Sequence, residues 1–360
     1  MILSGKLHFF YLFDVGDTID LGALRRVSAL GVTAAPLPIR SQTSPEYIQF
    51  LIPPVIGPLP ETQLDDQRFT ARAKFFDYGV VSIRLTATFT GDLQHFLELS
   101  GRLRSNDRLM VIAERYLATI MSEIAHAVDD PHQPLNEDYI VAEINHVEEE
   151  LTANAFLESH AAEIVQFLLN ETQPLSKAET EEALRVRFSY HRDDLAIIQW
   201  DATLIYDDAN SALTIEDILE FANSQLLELR TYDAQLDREL DTIYAAKPVF
   251  AVRSFFGRRA AERAGALRYL LVDVLELIDR SSNALKIIGD AYYARIYRAA
   301  ASRCGLNEWQ RQVDKKLASV ADFYRYLNDQ ARGSRDEFLE IIIIVLVAIE
   351  VVIGFITLHR

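Results

Sequence analysis

Apolar and polar positions along this chain change their period once. Up to about Asp208 the apolar stretches are short: KLHFFYLF from Lys6, YIQFLI from Tyr47, RFTARAKFF from Arg68, VVSIRLTATF from Val80, YIVAEINHV from Tyr139 and LAIIQWDATLIY from Leu195. They are of strand length and rich in aromatic and β-branched residues, so each predicts a strand. Between them DLQHFLELSGRL from Asp92, RLMVIAERYLATIMSEIAHAV from Arg108 and ESHAAEIVQFLLNE from Glu158 read as helices. Strands mixed with helices predict an α+β domain over residues 1–210, ending near the turn-like Asp207-Asp208-Ala209-Asn210.

From about Ile215 the period lengthens to three and four. One seam runs through Leu226, Leu229, Asp233, Leu236, Leu240 and Ile243, a second from Leu267 to Tyr292, and a third from Val313 to Ile341. Three long helices packed as a coiled coil account for it, giving an antiparallel helical stalk over 211–337. Pro248 stops the first helix, and Gly305 with Asn307 marks the turn after a second helix expected over 261–304. Asp233 stands on a seam where an apolar residue belongs, so it is expected to pair with Arg230 or an arginine of the next helix.

The third seam runs into RDEFLEIIIIVLVAIEVVIGFITLHR, where Ile341 to Leu358 carries a single charge. As a helix it is about 27 Å long, close to the hydrocarbon thickness of a bilayer. This predicts a transmembrane helix over 338–358. Arg325, Arg332 and Arg335 precede it, which places the N-terminal body in the cytoplasm. Glu340, Glu350 and Gly354 fall on one face of that helix, a pattern suited to association inside lipid.

Composition narrows the function. A formal net charge of −17 excludes broad nucleic-acid binding, which rests on basic side chains. The lone Cys304 excludes an internal disulfide and multi-cysteine metal sites. MILSGKLHFFYLF lacks the regions of a signal peptide, so the body is expected in a bacterial cytoplasm. Against that acidic background, Arg253, Arg258, Arg259 and Arg263 surround Phe255 and Phe256 in one stretch, a cationic and aromatic patch suited to anionic lipid headgroups.

Four segments together, LEIIIIVLVAIEVV, ANSQLLELRTYDAQLD from Ala222, EWQRQVDKKL from Glu308 and FFDYGVV from Phe75, resemble the Rmd/YagE-like family of unknown function. The resemblance implies a membrane-anchored protein without an established catalytic activity, with mitochondrial relatives in the inner membrane that support translation. In outline, a cytoplasmic domain leading through long helices to a membrane is also similar to the CorA magnesium channels. Their two membrane segments and Gly-Met-Asn signature are missing.

Enzyme motifs are sparse. FDVGDT resembles the nucleophile strand of haloacid-dehalogenase-like phosphatases, with Asp14 as nucleophile, but Gly16 stands where the second acid belongs. FFDYG repeats the Phe-Asp-x-Gly pattern at Asp77, which reads as a second strand-end turn. His126, Asp129, Asp130 and His132 lie in a proline-flanked stretch that reads as a solvated loop rather than a metal site. His146, before Glu148, Glu149 and Glu150, reads as a charged helix start. The sequence therefore predicts a tail-anchored, homo-oligomeric scaffold at the inner membrane, without cofactor or metal. Its expected partners are the lipid bilayer, further copies of itself and a protein it recruits.

Overall fold

The structure, a computed structural model, describes residues 2–24, 52–148, 151–245 and 290–323. It is a mixed α+β architecture built on an eight-stranded sheet, in the order β3-β4-β5-β1-β7-β10-β9-β8. These strands are β1 (Leu3–Asp14), β3 (Val55–Leu64), β4 (Gln67–Phe75), β5 (Val80–Gly91), β7 (Leu135–Val147), β8 (Arg187–Phe188), β9 (Leu195–Ile198) and β10 (Ala202–Tyr206). Short β2 (Thr18–Ile19) and β6 (Val128–Asp129) pair separately. In the main sheet β10 runs parallel to β7, and the other neighbouring strands are antiparallel.

β1 is the axis of the sheet. Its FFYLF run is buried on both faces, with Phe9, Phe10, Tyr11, Leu12 and Phe13 all sealed, as expected of a central strand covered on each side. Odd positions face helices α2 (Leu93–Arg104), α3 (Arg108–Ile124) and α4 (Ala153–Leu169), whose Phe96, Leu109, Ile120, Phe156 and Phe167 join one apolar core. Even positions face the other way. There Phe10 and Leu12 join Tyr139, Val141 and Ile205 against α6 (Ala209–Ala245) and α7 (Ala291–Arg303).

β3 has no counterpart in the sequence reading. Pro58 and Pro60 argue against a strand, yet they are tolerated because β3 is the edge of the sheet, and a register shift between Leu59 and Thr62 absorbs them. Helix ends follow local chemistry: Asp92 caps α2, Thr152 caps α4, and Asp208 Oδ1 accepts from Asn210 and Ser211 N–H at the start of α6. Two short helices, α1 (Leu21–Leu24) and α5 (Lys177–Ala183), complete this part.

The long helices differ from expectation. Among the described residues no antiparallel stalk is evident: the chain divides into one compact unit of Met1–Thr231 with Leu277–Trp309, and a second of Tyr232–Glu276 with Gln310–Arg360. The first two-thirds of α6 belongs to the sheet unit, because its apolar and acidic face is satisfied by the sheet. The helix expected over 261–304 is interrupted, since Asp290 is extended and caps a new helix at Ala291 through Tyr292 and Tyr293 N–H. Cys304 and Gly305, at φ +67°, turn the chain into α8 over 306–323. In the second unit, Leu236, Val313, Leu317 and Val320 are buried. Asp233 is paired there, but by Lys316 Nζ at 2.7 Å, which also holds Asp237 at 2.6 Å. Arg230 turns instead to Glu137.

Among the described residues no helix is long and apolar enough to cross a membrane. The expected span 338–358, with Glu340, Glu350 and Gly354, lies outside the described residues, as does the patch of Arg253, Phe255, Phe256, Arg258, Arg259 and Arg263. The expected single-pass placement in the inner membrane, and the tail-anchored design, therefore have no described helix to rest on.

Both Phe-Asp-x-Gly stretches are strand-end turns packed together. Val15 N–H donates to Gly79 O at 3.0 Å, and Gly79 sits at φ +89° with Gly16 O only 1.7 Å from where a Cβ would lie. Gly79→Ala is therefore expected to destabilise the fold by about 2–3 kcal/mol or more, from the left-handed backbone and the clash together, as read by urea unfolding.

Candidate functional site

The pleat of the sheet gathers charge on the face beneath α6. Side chains two residues apart share a face, so Lys6 and His8 of β1, Lys74 of β4, Arg84 and Thr86 of β5, and Glu143 and Asn145 of β7 all point to the α6 side. Register then makes the contacts. Lys6 is directly opposite Glu143 and bonds it at 2.8 Å; His8 is opposite Thr86, with Nδ1 and Oγ1 2.9 Å apart. From above, α6 supplies Glu216, Asp217 and Glu220; Glu220 lies four residues from Glu216 and three from Asp217, and so neighbours both on one side of the helix.

The result is a closed ionic cluster. His8 Nε2 lies 3.1 Å from both Glu143 Oε2 and Glu216 Oε1. Arg84 donates to Glu216 Oε2 at 2.7 Å, with its guanidinium 5.7 Å from the centre of the Phe10 ring. Lys74 donates to Asp217 at 2.8 Å and to Glu220 at 2.5 Å. Asn145 reaches Glu143 Oε1 at 2.8 Å and the Asp207 carbonyl at 3.3 Å, tying the cluster to the start of α6. Glu143 is 1%, Glu216 2%, His8 3% and Lys74 6% exposed, so water does not screen these charges.

Electrostatics follow from that geometry. Burial alone pushes the Glu143 carboxyl up, but hydrogen bonds from His8, Lys6 and Asn145 outweigh it and hold it at about 2. Glu216 is likewise held below the carboxylate range, because His8 and Arg84 outweigh burial and the nearby Glu143 charge. Burial disfavours the Lys74 ammonium, yet Asp217 and Glu220 keep it protonated above the ordinary range. Asp217 is raised, by burial first and then by the Glu220 charge, which the shared Lys74 offsets only in part. Asp207, outside the cluster, is raised to about 7 by burial and by Asp208 and Asp194.

The residues singled out from sequence fall elsewhere. Asp14 is buried at the end of β1, and its Oδ1 meets His132 Nε2 at 3.3 Å, a contact that raises the imidazole above its usual value. His126, Asp129 and Asp130 are exposed, and among the described residues that stretch gathers no metal-ligating group. His146 is not a helix start: it is an exposed position of β7 paired with Ser4, because α4 begins only at Ala153. Burial pushes the Cys304 thiol up to about 12, which removes it as a reactive thiolate. Sequence reasoning missed the whole cluster. The available signal was a charge inside an apolar strand: His8 in KLHFFYLF, Lys74 in RFTARAKFF, Arg84 in VVSIRLTATF and Glu143 in YIVAEINHV.

Fold and cluster together define a mixed α+β protein whose sheet is braced to a long helix by buried charge. Residues 4–212 match the family described as Uncharacterized protein MJ0711, N-terminal domain, and the chain belongs to that family. It is similar to the uncharacterized protein MJ0711 of Methanocaldococcus jannaschii, 23% identical over 201 residues, which are 56% of this chain and 61% of that protein. No solved structure matches. The kinship expected with the Rmd/YagE-like family is thereby corrected, and the membrane anchoring it implied loses that support. The relative is archaeal, so the bacterial setting expected from the sequence is unsupported as well.

Two expectations follow. Lys74→Met leaves Asp217 and Glu220 buried without their cation and should cost about 3–5 kcal/mol in urea unfolding, partly recovered on adding Glu220→Gln. Asp207 has a folded value of about 7 against 3.8 unfolded, so the folded state binds the extra proton and stability falls as pH rises through that window. Asp207→Asn should raise the melting temperature at pH 8 and leave it unchanged near pH 4.

Proposed function

We propose that this protein is a non-enzymatic scaffold, a rigid platform that holds a protein partner. The observation that carries the reading is the closed state of the cluster of titratable side chains between the sheet and α6. A general acid or base has to reach a reacting group within hydrogen-bond distance. Here Glu143, Glu216, Glu220, Lys74 and His8 are all at most 6% exposed, and each contacts an oppositely charged or hydrogen-bonding neighbour within the cluster. Their chemistry is spent on fixing α6 to the sheet. The Asp14 carboxylate, the one nucleophile that the sequence suggested, is 2% exposed and faces His132.

Turnover of generic phosphomonoester, carboxylic ester and nucleoside triphosphate substrates, compared between the wild type and Asp14→Asn, tests this. No activity above buffer for either protein is the expected result. Release of phosphate that disappears in Asp14→Asn would overturn the scaffold reading in favour of a phosphatase.

A further inference from the structure

The geometry points to a divalent-cation site formed by His8, Glu143 and Glu216, in which one ion of the zinc or manganese class fastens β1, β7 and α6 together. His8 Nε2, Glu143 Oε2 and Glu216 Oε1 all lie within 4.8 Å of one another, and all three residues are buried. Each atom can offer a lone pair once His8 carries its proton on Nδ1. The second polar atom of each side chain is held from outside: His8 Nδ1 by Thr86 Oγ1 at 2.9 Å, Glu143 Oε1 by Asn145 at 2.8 Å, and Glu216 Oε2 by Arg84 at 2.7 Å. Outer contacts of this kind orient metal ligands, and Thr86 can accept from the Nδ1–H tautomer that leaves Nε2 free to coordinate.

Distances and chemistry agree with an ion. Donors about 2.1 Å from a metal stand about 3.0 Å apart at neighbouring octahedral positions and about 3.4 Å apart in a tetrahedron; Nε2 is 3.1 Å from each carboxylate oxygen, and the two oxygens lie within 4.8 Å of each other. One imidazole and two carboxylates suit zinc, manganese or ferrous iron better than calcium, which takes more oxygen ligands. A proton on Nε2 is the alternative occupant. It can point squarely at one carboxylate but not at both, whereas an ion serves all three donors.

Charge points the same way. Four carboxylates, the buried Glu143, Glu216 and Glu220 and the half-buried Asp217, face the three cations Lys6, Lys74 and Arg84. Lys6 shares Glu143 Oε2 with His8, but its side chain is 37% exposed and can turn to water. With Lys6 outside and the His8 imidazole neutral, a divalent ion beside Lys74 and Arg84 brings four positive charges to the four carboxylates.

The test is independent of the scaffold reading. Protein equilibrated with Zn²⁺ or Mn²⁺ and cleared of loose ions by gel filtration is analysed by inductively coupled plasma mass spectrometry, with melting temperature measured before and after chelation. About one ion per chain and a higher melting temperature when loaded are expected. Glu216→Gln should weaken binding at least tenfold, and Lys6→Met, at a partly exposed position, should tighten it about tenfold by removing the competing cation. A wild-type protein that retains no ion, or two variants that bind as the wild type does, would overturn the proposal.

Discussion

The pairing of charge between α6 and the sheet is the constraint on which the rest of this structure depends. Taking a carboxylate or ammonium out of water costs several kcal/mol, and that cost is offset only where partner and hydrogen bonds are all in place. Glu216, Asp217 and Glu220 can be buried only where Arg84, His8 and Lys74 await them. Sliding α6 by one turn, about 5.4 Å, would separate every pair at once. Apolar packing of Ala212, Ile215 and Leu219 tolerates small shifts; the ionic cluster does not.

This gives the two faces of the sheet different roles. Beneath α2, α3 and α4 the contact is apolar, with Phe96, Phe156 and Phe167 filling space, and it supplies stabilisation without much directional demand. Beneath α6 the contact is half ionic, and it supplies specificity. β1 serves both, since its alternate residues Phe9 and Tyr11 enter one core while His8 and Phe10 enter the other. The partners are far apart in sequence, 137 residues for Lys6 and Glu143 and 146 for Lys74 and Glu220. Such contacts require the sheet to be assembled before they form.

The turns that end β1 and β4 show how packing gives a repeated motif its role. FDVGDT and FFDYG share a Phe-Asp-x-Gly pattern, and each places glycine where backbone meets backbone. Gly79 is needed because Gly16 O approaches it, and Asp14 is occupied by His132. Proximity created by folding, rather than spacing in the chain, assigned those residues their partners.

By itself the sequence determined the strands with aromatic and β-branched runs, β1, β4, β5 and β7, and the helices α2, α3 and α4, because local period and composition settle them; it read Leu195 to Tyr206 as one strand, which the structure divides into the antiparallel β9 and β10. It did not determine β3, where Pro58 and Pro60 are acceptable only at a sheet edge, nor the break at Asp290, hidden inside a continuous apolar seam. Least of all did it determine the charged cluster. His8, Lys74, Arg84, Glu143 and Glu216 come from five separate elements, and each finds its cluster partners only in other elements. Strand order and register alone decided that they meet, because an ion pair depends on distance in space and a one-residue slip would turn each strand charge to the opposite face.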